Sequence, residues 1–190
     1  MSLGKQAKTL TEVQQKVILS HLSQGRHSRR NIVIFLLSLD AALRAKEVAS
    51  LEWSMITDAS GVLTDEIRLQ DRVSKGRSGG VVFISKRLKL ALINYSHDQE
   101  MVGTVIKSQR GGPMSAQVMV NWFFHLYRTL GYEGCSSHSS RRTAITTWAR
   151  KITSVGGSLR DVQALARHSS IAMTQRYIEV SEDACRRVVG

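Results

Sequence analysis

The chain has 190 residues, enough for one well-packed domain, and its 42% hydrophobic content is that of a globular protein rather than a disordered one. Lys and Arg number 27 against 15 Asp and Glu, a net charge of +12, which points to a polyanionic partner and favours nucleic acid over a membrane surface. Two distant cysteines, Cys135 and Cys185, make neither a disulfide framework nor a metal-ligand pattern. The opening "MSLGKQAKTLTEV" has no apolar core of a signal peptide, and "NIVIFLLSLDAAL" is too short and interrupted to span a bilayer. A cytoplasmic, reduced protein is the expectation.

In chain order, residues 1–9 read as a disordered leader. "LTEVQQKVILSHLS" places Leu10, Val13, Val17, Ile18 and Leu22 at helical spacing, with Thr11 able to cap. "SRRNIVIFLLSLDAAL" is a more buried helix, and "RAKEVASLEW" a short third one with Val48 and Leu51 inward and Lys46 outward. The texture then turns β-prone at Met55–Thr57, Glu66–Leu69 and Val81–Ile84, with a loop near Asp71–Gly80. Helical patterns return over Lys86–Tyr95, Ser115–Leu130, Arg141–Ile152, Leu159–Ala166 and Thr174–Val189. The expected class is α+β, mainly α-helical, with one small three-stranded antiparallel sheet.

"SSHSSRRTAITTWAR" sets His138, Arg141 and Arg142 at a helix start, where unpaired amides already carry partial positive charge. A solvated basic helix start would explain one such cluster; a bound phosphate explains it better if other parts of the chain agree. His138 and Arg141 stand one turn apart and share a face. Arg44 opens the third helix three residues before Glu47, Lys75 lies in "RVSKGRSGG", His168 in "LARHSS" and Tyr177 in "TQRYIEV". Each alone has an ordinary reading: a surface pair, a solvated lysine, a hydrogen-bonded histidine, a half-buried tyrosine.

Their order is distinctive. Arginine after a buried helix, lysine in a β-hairpin, H-x-x-R, histidine and then tyrosine resembles the tyrosine recombinases of the phage integrase family. The segments "ALRAKEVASLEW", "SKGRSGGVVFIS", "SQRGGPMS", "SSHSSRRTAITTWA" and "LARHSSIAMTQRYIEV" carry the resemblance. It implies the fold of that family's catalytic domain over residues 10–190, without the N-terminal DNA clamp. It implies site-specific recombination of double-stranded DNA through a 3′-phosphotyrosyl intermediate, with Tyr177 as nucleophile. Arg44 and Arg141 would hold the phosphate, His138 would act as base or as hydrogen-bond partner near the nucleophile, His168 as donor and Lys75 as acid on the leaving 5′-oxygen. Glu47 would orient an arginine, and Arg142 has no assigned role. Neither metal nor ATP is implied as cofactor, and the assembly on DNA would be a homotetramer, with a monomer alone. A type IB topoisomerase-like relaxing enzyme and a catalytically silent DNA-binding remnant are the alternatives, though all six candidate positions are filled.

Three residues depart from the family pattern. Arg167 stands where glycine usually precedes the second histidine, Ala42 where glycine commonly precedes the first arginine, and Phe83 where the third strand often carries proline.

Overall fold

The structure is a computed structural model and describes residues 6–73, 79–178 and 182–189. The chain divides into two compact units, one through Ala144 and one from Ile145 onward.

The first unit begins with α1 (Glu12–Ser23) and α2 (Ser28–Leu39). Thr11 caps α1 in a capping box, its hydroxyl accepting from the Gln14 amide at 3.2 Å while the Gln14 side chain accepts from the Thr11 amide at 2.9 Å. Of the five apolar residues grouped with this helix, Leu10, Ile18 and Leu22 are buried; Val13 and Val17 face water. α2 is buried over seven consecutive residues, Val33–Leu39, and packs on α1, on α3 (Ala45–Ala49) and on α4 (Lys86–Ser96). An all-round apolar helix of this kind belongs in the middle of a core. α5 (Ala116–Thr129) packs on α3 and buries Met119, Phe123, Leu126 and Tyr127.

The sheet has two described strands, β1 (Glu66–Leu69) and β2 (Gly80–Phe83), antiparallel with Ile67 opposite Val82. Ile67, Leu69 and Val82 point into the core while Val81 and Phe83 face out, the alternation a half-buried ribbon requires. Phe83, in the place of the family's proline, therefore sits on the solvent side. Gly79 closes the hairpin base, where a Cβ would lie 2.5 Å from the Leu69 carbonyl oxygen and 2.8 Å from the Asp71 carboxylate.

The expected third strand at Met55–Thr57 is corrected. Trp53–Met55 forms a 3₁₀ turn with Ile56 donating back to Trp53, and Thr57 makes only an isolated bridge to Leu63. The Met55 amide likewise donates to the Glu52 carbonyl at 3.0 Å, and just beyond the segment the Asp58 carboxylate accepts from the Ser60 and Val62 amides, both at 2.9 Å, in a tight turn.

α6 (Ser139–Lys151) starts in the first unit. The second unit continues with a 3₁₀ turn at Ile152–Val155, α7 (Leu159–Ala166), α8 (Ile171–Gln175) and α9 (Glu182–Val189). The continuous helix expected over Thr174–Val189 is thus two helices, because α8 begins at Ile171, after its N-cap Ser170, and closes in a turn at Arg176 and Tyr177. No helix among the described residues is long and apolar enough to cross a membrane.

Candidate active site

In the first unit the chain leaves α2 at Leu39 and doubles back, with the Leu43 amide donating to the Leu37 carbonyl at 3.0 Å. This reversal puts Ala42 in the left-handed region at φ +49° and aims its carbonyl at Arg141, whose Nη1 donates to it. Arg44 immediately precedes α3 with extended backbone, φ −74° and ψ 156°. Glu47, fully buried on the first turn of α3, accepts from the Arg44 amide through Oε2 and from Arg44 Nη1 through Oε1, both at 2.8 Å. One carboxylate thus caps the helix and holds the guanidinium, whose side chain keeps 21% exposure.

His138 directly precedes α6, and its carbonyl accepts the Arg142 amide at 2.8 Å, the first i to i−4 bond of the helix. Arg141, on the first turn, is buried. His138 keeps an exposed surface, yet the surrounding protein withholds enough water to lower its pKa below the ordinary histidine value. The positive charges of Arg141 and, less strongly, Arg44 act in the same direction. Arg44, His138 and Arg141 are therefore electrostatic neighbours. All three influences favour the neutral imidazole over the charged one.

The serines and threonines around this cluster are structural. Ser140 Oγ meets the buried Tyr127 hydroxyl at 2.6 Å, and Ser139 Oγ accepts from the Ser136 amide at 3.0 Å. Thr143 Oγ1 donates to the Ser139 carbonyl and accepts the Leu10 amide, both at 2.8 Å, so it ties the start of the chain to α6. Arg142 reaches away to the Gln6 side chain.

In the second unit α7 ends in a Schellman turn. The His168 amide donates to the Gln163 carbonyl at 3.1 Å and the Arg167 amide to the Ala164 carbonyl at 3.0 Å, with Arg167 left-handed at φ +52°. The Gln163 side chain returns a bond to the His168 carbonyl at 3.1 Å. His168 is buried, its Nδ1 lies 2.9 Å from Thr174 Oγ1, and its ring stacks on Tyr177 with centroids 5.3 Å apart and planes at 27°. Tyr177 follows α8 in a turn, its amide bonded to the Thr174 carbonyl at 3.0 Å. Thr174 is the residue that sequence reasoning missed: it holds both His168 and Tyr177, and its only signal was lying six residues after the histidine. Lys75 lies outside the described residues. Among the described residues no group of three or more His, Cys, Asp or Glu could hold a metal ion.

The family model of the phage integrase family matches residues 8–183, nearly the whole chain. The chain belongs to the phage integrase family. No curated protein matches it by sequence. The Tn1549 transposon integrase in complex with a circular intermediate DNA is similar in fold, with TM-score 0.76 and 17% identity, over 100% of this chain and 67% of that one. The XerA recombinase is similar with TM-score 0.72 and 20% identity, over 95% and 63%. XerH site-specific recombinase bound to its difH substrate gives 0.71 and 15%, over 100% and 55%. This family member therefore spans about two thirds or less of the length of those solved chains. Its mainly helical body and small antiparallel sheet are the fold of the recombinase catalytic domain.

Proposed function

We propose that this phage integrase family member is the catalytic domain of a site-specific DNA recombinase that cuts and rejoins double-stranded DNA through a phosphotyrosine. The observation that carries this reading is the stack of Tyr177 on His168, with Thr174 bonded to both. It sets the nucleophile of the family pattern against a hydrogen-bonding imidazole. The gathering of Arg44, His138 and Arg141 supports it, as a cationic cluster suited to a phosphodiester.

In this reading the Tyr177 oxygen attacks phosphorus, the P–O5′ bond breaks, and the 3′-phosphate remains on the tyrosine. The family scheme gives the phenolic proton to a histidine, the role the resemblance assigns to His138, and has a lysine protonate the departing 5′-oxygen, the role it assigns to Lys75. Arg44 and Arg141 neutralise the nonbridging oxygens as charge builds on them, and Glu47 keeps Arg44 in its rotamer. His168 donates to the phosphate through Nε2, and in the neutral ring Nδ1 then accepts from the Thr174 hydroxyl. The phosphotyrosyl bond conserves the energy for religation, so the scheme calls on no nucleotide.

A nicked suicide DNA substrate, which on cleavage loses the short fragment bearing the new 5′-hydroxyl, tests the proposal. A protein–DNA adduct on a denaturing gel is expected from the wild type and not from Tyr177→Phe. Salt-sensitive DNA binding without an adduct would move the chain to the class of non-cleaving DNA-binding modules.

A further inference from the structure

Among the described residues, only two that are not glycine adopt positive φ, Ala42 and Arg167. Both occupy positions where the family pattern carries glycine, so the backbone keeps the shape for which glycine is suited. At Ala42 the added group is one methyl. At Arg167 it is a guanidinium that stays charged at any physiological pH, in a residue with only 8% of its surface exposed.

Two costs meet at Arg167: a left-handed conformation unfavourable to any side chain, and withdrawal of a permanent charge from water. The turn itself asks for neither, since the two bonds that close α7 are main-chain to main-chain and a glycine would make both. What the side chain contributes therefore lies outside the turn. The chemistry adjoining it is His168, its neighbour in sequence, stacked on Tyr177. Backbone strain of this kind is held at functional positions when the rest of the structure over-determines it.

We propose that Arg167 supplies a further positive charge to phosphoryl transfer, raising the potential where His168 and Tyr177 meet the scissile phosphate. This rests on the recombinase reading above. The charge, and neither the bulk nor the turn, is what the reaction uses, because the transition state concentrates negative charge on the nonbridging oxygens.

The test uses single-turnover adduct formation at saturating suicide DNA, so that affinity drops out, together with thermal denaturation. Arg167→Gln, which keeps a polar side chain and the left-handed strain but removes the charge, is expected to slow cleavage ~10-fold or more, a barrier increase of about 1.4 kcal/mol. Arg167→Lys, which keeps the charge, stays within roughly threefold of wild type. Arg167→Gly slows like the glutamine variant while its Tm holds or rises by about 2–4 °C, since the strain is gone. A methylphosphonate at the scissile position, which removes one negative oxygen, should shrink the Gln penalty, a response that a packing role would not produce. Equal rates for wild type and Arg167→Gln, or a Lys variant as slow as Gln, would overturn the proposal while leaving phosphotyrosine chemistry intact. Should the glycine variant fail to fold, the Gln and Lys pair still decides. Absence of any adduct from wild type overturns both readings together.

Discussion

At the scale of single residues, the cluster around His138 shows how neighbours set a protonation state. Its H-x-x-R spacing to Arg141 is legible in the sequence, because one helical turn separates the two. Its lowered pKa is not legible, since it comes from burial and from Arg141 and Arg44, the latter distant in sequence. The pH consequence has a definite sign. The unfolded chain takes a proton at His138 near the ordinary value of ~6.5, where the folded chain does not. His138 therefore costs no stability above that value, and stability is lost as pH falls from it towards the folded pKa. His27, also lowered, acts in the same sense. Chemical denaturation between about pH 5 and pH 7.5 should show wild type losing stability on acidification, and His138→Gln losing less. An identical pH slope in the two proteins would show that the imidazole is not perturbed.

At the scale of elements, long periodic segments were readable, and so were the short α3, β1 and β2, whereas Met55–Thr57 and the end of α8 were not. α5 is recognisable because Met119, Phe123, Leu126 and Tyr127 recur at helical spacing on its buried face. Met55–Thr57 looked like a strand by composition, but the Met55 and Ile56 amides donate to the Glu52 and Trp53 carbonyls in a 3₁₀ turn, and Asp58 folds the next residues into a tight turn. The break at Tyr177 was hidden in a run without proline or glycine. Several of the Ser and Thr residues of "SSHSSRRT" are internal hydrogen-bond partners. Tyr127→Phe tests that assignment: it strips the Ser140 hydroxyl of its buried partner and should cost about 1–2 kcal/mol in urea unfolding. Adding Ser140→Ala should cost less than the sum of the single changes, because one interaction is counted twice. Additive losses would show that the two hydroxyls are not coupled.

For the molecule as a whole, the +12 charge is the property with the widest reach. A protein that binds DNA mainly by neutralising phosphates releases counterions, so its affinity must fall steeply with salt. Binding followed by fluorescence anisotropy should weaken by roughly 10³-fold or more between about 50 and 200 mM salt if six or more phosphates are engaged. Tight binding indifferent to salt would contradict an electrostatic interface.

The sequence by itself determined the family, the helical character of the chain and the identity of the candidate chemical groups. These depend on residue type, order and local period, which a linear text preserves. Tertiary structure alone decided what each group touches: Glu47 under Arg44, Thr174 against His168, Tyr127 on Ser140, the Ala42 carbonyl under Arg141. It also decided that the positions of Ala42 and Arg167 remain left-handed without glycine. Backbone conformation there is imposed by the hydrogen bonds that close α2 and α7, and those bonds outweigh the preference of the residue placed in the turn.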